Sequence, residues 1–279
     1  MIATARPGCA YPRLPFGAGL DGFPEINVEQ SVWPNASWMS VPTVSRQRCL
    51  RLSGSFSPAL SACLSFGSEG DGTTMTLYAT VGERVVAELM MRAEKPAFAL
   101  DPGGADAPFV GYSLTRLAVE GTVDQGGGEM PVEGTAWFDH LWGELPVPGA
   151  GPVAWDRMQL QLNDGTDINA VRSRRIDGKG ASAVSVAIFD PSGAATPLDG
   201  DTIQMTASRT WRHPSTGAHY PIEWRISGPD LDISIEPLTD DQVHDFSAPL
   251  WSGFVRAEGR RAETPVSGFG TLQLSGYGP

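Results

Sequence analysis

Helical periodicity is nearly absent from this chain, and that absence constrains its fold more than any other feature. Apolar residues do not recur at the spacing of about 3.6 residues that an amphipathic helix needs. Short runs of β-branched and apolar residues recur instead between Gly, Pro, Asn and Asp, the spacing of antiparallel sandwiches and barrels. The 33 glycines and 23 prolines are scattered without a period, which implies many turns and excludes a collagen-like chain. In the first half the pattern predicts strands over Gln47–Leu52, Ala62–Phe66, Thr74–Thr80, Arg84–Met91, Leu117–Val123 and Met130–Phe138. In the second half it predicts Arg157–Leu162, Asp167–Arg174, Ala183–Phe189, Thr202–Ser208, Tyr220–Ile226, Asp232–Pro237, Leu250–Glu258 and Ser267–Leu274. In Asp232–Glu236 two isoleucines alternate with polar residues, as in a half-buried barrel wall. Asn163-Asp164-Gly165 and Asp190–Gly193 read as hairpin turns, because Asn, Asp and Gly tolerate positive φ. Only Thr239–Asp245 and Asn27–Val32 have room for short helices.

At 279 residues the chain can hold two domains. Gly143–Gly151 is the best linker, since two prolines and three glycines in so short a stretch do not suit a strand interior. The split predicts an N-terminal domain over 1–148, with a poorly patterned opening at Met1–Val44, and a C-terminal domain over 152–279. Each segment is long enough to close a barrel of roughly six to eight strands.

A net charge of −12 repels polyanions, so no nucleic-acid partner is expected. The one basic cluster, Arg172, Arg174 and Arg175, is followed by Asp177 and reads as a solvated strand face. Cys9, Cys49 and Cys63 form an odd set without CxxC spacing, which fits neither a zinc site nor a disulfide framework. Free thiols in a reducing cytoplasm are the simplest reading. Met1–Gly17 lacks the apolar stretch of a signal peptide, and no apolar run approaches the roughly 20 residues that span a bilayer. A cytoplasmic chain without a membrane partner is expected, acting as a monomer or homodimer.

No GxSxG elbow, P-loop, nucleotide-binding GxGxxG or HExxH is present. Gly126-Gly127-Gly128 lies between two predicted strands and reads as a hairpin rather than a phosphate cradle. The four histidines, His140, His213, His219 and His244, are dispersed, so neither a metal nor another cofactor is expected. The densest chemical segment is Gly134–Gly143, where Trp137, Asp139, His140 and Trp142 fall together at a strand end. Alternation puts Trp137 and Asp139 on one face, and Phe138 and His140 on the other. A carboxylate against indole loses solvation, which favours its neutral form and suits general acid or base work. The competing reading is a structural corner that bonds backbone. Eight tryptophans are spread over both halves, some for the core and some fit to line an apolar cavity.

Tyr112–Thr122, followed by Gly134–His140 and Trp142-Gly143, resembles the signature of the lipocalin-like carotenoid 1,2-hydratase superfamily. Trp155–Gly165 resembles that superfamily's next motif, and Tyr220–Trp224 and Gly268–Tyr277 resemble later ones. The motifs run in the same order through most of Tyr112–Tyr277. The resemblance implies an all-β fold of two tandem lipocalin-like (calycin) antiparallel β-barrels, with a cavity in or between them. It also implies a function among the superfamily's hydratases, hydro-lyases and cofactor-free cyclases that close polyketide rings by 4+2 cycloaddition.

The hydratases carry a His-x-Trp element upstream of a Tyr-x-Asp element. Spacing aligns these with Val110-Gly111-Tyr112 and Trp137-Phe138-Asp139 here. The Asp is kept and the His is replaced by valine, which counts against hydration. The expected activity is therefore a cofactor-independent cyclase of polyketide biosynthesis, a Diels–Alder or hetero-Diels–Alder pericyclase that folds a linear polyene in an apolar pocket. The alternatives are a hydratase or lyase with Asp139 as the acid, and a non-enzymatic carrier of an apolar small molecule. On this reading Asp139, His140 and Tyr112 are the catalytic candidates, through hydrogen bonding to a substrate carbonyl or proton transfer. Trp137, Trp142, Trp155, Gln159, Gln161 and Trp224 are the substrate-binding candidates. Core packing for each tryptophan, and a solvent-facing strand position for each glutamine, are the competing readings.

Overall fold

In a computed structural model of the chain, residues 50–52, 62–68, 73–81, 84–100, 109–124, 126–143, 153–244 and 250–278 are described. Every helix or strand among them is a strand, as the alternating pattern predicts. No helix among them is long and apolar enough to cross a membrane. The helix expected at Asn27–Val32 and most of the expected linker lie outside the described residues. The chain separates into two compact units, Met1–Leu145 and Pro146–Pro279.

The described strands of the first unit form one antiparallel sheet. It holds β1 (Leu50–Leu52), β2 (Ala62–Ser68), β3 (Thr74–Val81), β4 (Arg84–Ala93), β5 (Phe98–Leu100), β6 (Phe109–Asp124) and β7 (Glu129–Gly143). The order is β1-β2-β3-β4-β6-β5, and β7 pairs with β6. The glycine run forms the β6–β7 hairpin. There Gly126 and Gly128 take positive φ, and their N–H groups donate to Asp124 Oδ1 at 2.7 and 3.1 Å. Those two backbone bonds hold the Asp124 carboxyl below its ordinary range.

A β-bulge divides β6. Leu114 pairs with Phe138 and Leu117 with Ala136, so Thr115 and Arg116 together oppose Trp137. The extra residue reverses the phase of the strand. Before it, Tyr112 and Leu114 enter the core; after it, Leu117 does, with Val119 packed against the same cluster.

The described strands of the second unit form a ten-stranded antiparallel sheet. Its strands are β8 (Val153–Leu162), β9 (Asp167–Arg175), β10 (Ala183–Phe189), β11 (Ala195–Leu198), β12 (Gln204–Arg212), β13 (His219–Gly228), β14 (Leu231–Pro237), β15 (Val243–His244), β16 (Leu250–Arg261) and β17 (Thr264–Leu274). The order runs β11-β10-β9-β8-β17-β16-β14-β13-β12, with β15 beside β16. The sheet curls so far that Leu198 from one end strand and Met205 from the other join a single core, the packing of a lipocalin-like barrel.

Gly268 and Gly270 lie on the inward phase of β17, between Val266 and Leu272. A Cβ at either would strike a backbone carbonyl of β8, that of Gln161 or Gln159. Their missing side chains let the strands approach closely at the curl. Gly270→Ala is expected to lower stability by about 1–3 kcal/mol, seen as an earlier urea midpoint.

The segment with room for a short helix, Thr239–Asp245, forms none over its described residues 239–244. Leu238 N–H donates to Phe254 O, Ser252 N–H donates to Gln242 O, and Val243 pairs with Trp251. Arg209 also holds Asp240 by two bonds of 2.9 and 2.7 Å, and Trp251 Nε1–H donates to its carbonyl. The edge of β16 thus satisfies backbone groups that a helix would have paired internally. Three strands that were not expected, β5, β11 and β15, are too short for alternation to show.

Candidate functional site

Antiparallel register sets Tyr112 of β6 directly opposite His140 of β7. Tyr112 is buried with Phe138, Met75, Leu77 and Met91 on the core face of the first unit. The His140 ring meets the Tyr112 ring nearly edge to face at 5.4 Å, and Phe138 lies 6.2 Å from Tyr112. This apolar surround penalises charge. Burial pushes His140 down to about 4 and pushes the Tyr112 phenol up. At neutral pH the pair is therefore an uncharged phenol and an uncharged imidazole, able to exchange hydrogen bonds with a ligand without presenting a formal charge.

The His140 shift fixes a pH dependence. Its ordinary value of 6.5 applies in the unfolded chain, so between 6.5 and about 4 the unfolded state binds more protons. The stability contributed by the neutral imidazole is complete above that window and is lost as pH falls through it. The urea midpoint is expected to decline across the window, and His140→Gln to flatten that part of the slope.

Asp139 and Trp137 face the other way, as alternation predicts. Trp137 Nε1–H donates to Asp139 Oδ1 at 2.9 Å, and the Ser113 hydroxyl makes a short hydrogen bond to the same oxygen. Ser113 is Asp139's cross-strand partner. The structure thus brings Tyr112 and His140 together and sets Asp139 on the opposite face of the same two strands. Ser113 was not singled out in the sequence, although its position one residue after Tyr112 dictates this face. Trp142 is placed by its backbone, paired with Val110 in β7.

In the second unit Met158, Leu160 and Leu162 of β8 enter the core. Trp155, Gln159 and Gln161 occupy the intervening positions and share the other face. Gln159 is buried there, with Thr271 Oγ1 at 3.5 Å from its Oε1. Trp224 is a core residue. It is fully enclosed, and its Nε1–H donates to Pro221 O at 2.5 Å.

Arg172 and Arg174 are not a solvated face. They continue the inward phase of Ile168 and Ala170 on β9. Arg172 donates through Nε and Nη2 to Asp156 Oδ2 at 2.8 and 2.6 Å, and Tyr277 OH donates to Asp156 Oδ1 at 2.9 Å. Arg174 Nε lies 3.6 Å from the same carboxylate. Only Arg175 fits the solvated reading, paired with Asp177 at the surface. The signal for this cluster was in the sequence: the period of two that buries Ile168 and Ala170 also carries Arg172 and Arg174 inward.

The fold and these motifs have known counterparts. A crystal structure of an AttH protein from Nitrosomonas europaea is similar over 77% of this chain and 68% of its own, with 27% identity and a TM-score of 0.64. The crystal structure of kievitone hydratase from Nectria haematococca is similar over 87% of this chain and 73% of its own, with 19% identity and a TM-score of 0.61. No curated protein matches the sequence. The AttH-like family model matches residues 72–277, across both units. By that match the chain belongs to the AttH-like family, in keeping with the lipocalin-like hydratase resemblance of its motifs.

Proposed function

We propose that this protein is a cofactor-independent enzyme that closes a ring in an apolar, unsaturated small molecule, with Tyr112 and His140 as its polar contacts to substrate. One observation carries the reading: an uncharged phenol and an uncharged imidazole face each other on an otherwise apolar surface. Adding water to an isolated alkene requires a strong acid. An imidazole that protonates only near 4 is not a proton source at neutral pH, and a phenol pushed upward is a weaker acid than usual. Ring closure of a polyene by 4+2 cycloaddition needs no proton. It needs the chain folded so that its ends meet, which apolar walls supply by removing conformational freedom. A hydrogen bond from Tyr112 to a substrate carbonyl would polarise the dienophile and stabilise charge that develops in the transition state.

Hydration is the second reading. It is favoured by the shared fold of kievitone hydratase and by the retained Asp139. The test separates the two. Purified protein is given a linear polyene bearing a conjugated carbonyl, in ordinary and in heavy-oxygen water, and the products are weighed. A product of unchanged mass and new retention time is expected. A gain of one labelled water would replace the cyclase reading with hydration, and bound but unchanged substrate would favour a carrier.

A further inference from the structure

The end of the second unit where β8 begins and β9 ends holds charge that the described residues do not balance. Asp156 is completely buried and faces two guanidinium groups, those of Arg172 and Arg174. Arg172 is committed: its Nε and Nη2 bind Asp156, and Nη2 also reaches Tyr277 OH at 3.3 Å. Arg174 is not. Its Nη2 donates to Ser275 O at 2.6 Å, while its Nε is shut off from solvent without an acceptor in hydrogen-bond geometry. Its Nη1 has no acceptor among the described residues. One carboxylate against two guanidiniums leaves a net positive charge, and buried donors without acceptors call for an explanation. The Arg174 side chain retains 16% exposure, so this charge can be reached from solvent.

Aromatic rings border the same place. Arg174 lies over the Tyr277 ring at 4.0 Å and Arg172 over the Trp224 ring at 4.4 Å. Tyr277 meets Tyr220 at 5.9 Å, and Tyr220 meets Trp211 at 6.4 Å. The Nη1 edge of the Arg174 guanidinium matches a planar carboxylate, and the half-buried rings of Tyr277 and Trp211 match an apolar body. We infer that this end of the second unit binds the carboxylate of an aromatic or aliphatic organic anion, with Arg174 as the group that grips it. The inference is independent of the Tyr112–His140 site and of the reaction assigned to it.

The full-length protein is titrated by calorimetry with 2-naphthoate, with its neutral counterpart 2-naphthylmethanol, and with sulfate. Saturable binding of naphthoate is expected, about tenfold or more tighter than that of the alcohol, since a hydrogen bond to a charged group is at stake. Arg174→Met should remove most of that preference, and Arg174→Lys should keep part of it. The wild-type comparison of acid with alcohol needs no variant, so the test stands even where Arg174→Met folds poorly. Equal binding of acid and alcohol would overturn the inference, as would failure of naphthoate to bind. Naphthoate affinity unchanged in a folded Arg174→Met protein would overturn it too. Sulfate competing as strongly as naphthoate would overturn the organic part, because an inorganic anion brings no apolar body.

Discussion

Asp156→Asn is expected to destabilise the protein by about 3 kcal/mol, read as a shift of the urea unfolding transition. Asp156 has no exposed surface. It accepts from Arg172 and Tyr277 and lies 3.6 Å from Arg174 Nε. Removing its charge leaves two guanidiniums in the barrel end without a countercharge among the described residues. Breaking a buried pair by removing one partner costs about 3–5 kcal/mol. The low end applies because the two arginines keep 21% and 16% exposure and water relieves part of the strain. Asp177→Asn supplies the control. Its pair with Arg175 is at the surface, where water screens it, so no clear shift of the urea transition is expected. Equal small effects from both substitutions would mean that the Asp156 network does not hold the barrel end together.

Tyr112→Phe is expected to lower kcat by about 100-fold with little change in folding. The substitution removes one hydroxyl and keeps the ring that packs against Phe138 and His140. Asp139→Asn is expected to change kcat only a few-fold, because its carboxylate lies on the other face of β6 and β7. The two variants assayed side by side decide between the readings. Loss of turnover in Asp139→Asn with activity kept in Tyr112→Phe would favour hydration with Asp139 as the acid. Loss in the first order, with products of unchanged mass, supports ring closure assisted by a phenol.

The places where sequence reading succeeded and failed have physical causes. Leu117–Val123 was legible because it keeps one period of two from end to end. The half of β6 that carries Tyr112 was hidden by the two residues at the bulge, which break the phase. A pattern that changes sign within a strand averages to no pattern. The Thr239–Asp245 segment failed for another reason: its partners, Arg209 and the edge of the following strand β16, lie outside the window in which a helical period is read. Arg172 and Arg174 were misread because charge was given more weight than phase. The facing of Trp137, Asp139, Phe138 and His140 was legible, since it depends only on neighbours. Which of those faces is the apolar one depended on the strands paired beside them.

The bulge at Thr115 and Arg116 acts like a frameshift written into the backbone. Upstream of it even-numbered residues point to the core; downstream odd-numbered ones do. The two stretches of β6 are therefore free to change separately. The Leu117 stretch can keep the sheet in register with β4 while the Tyr112 stretch alters what it presents. Because Thr115 and Arg116 share one place opposite Trp137, deleting one of them would restore an unbroken ladder and leave Tyr112 inward, still opposite His140, and Ser113 outward. The loss of a single codon at the bulge would thus be absorbed locally, without carrying Tyr112 or Ser113 to the other face.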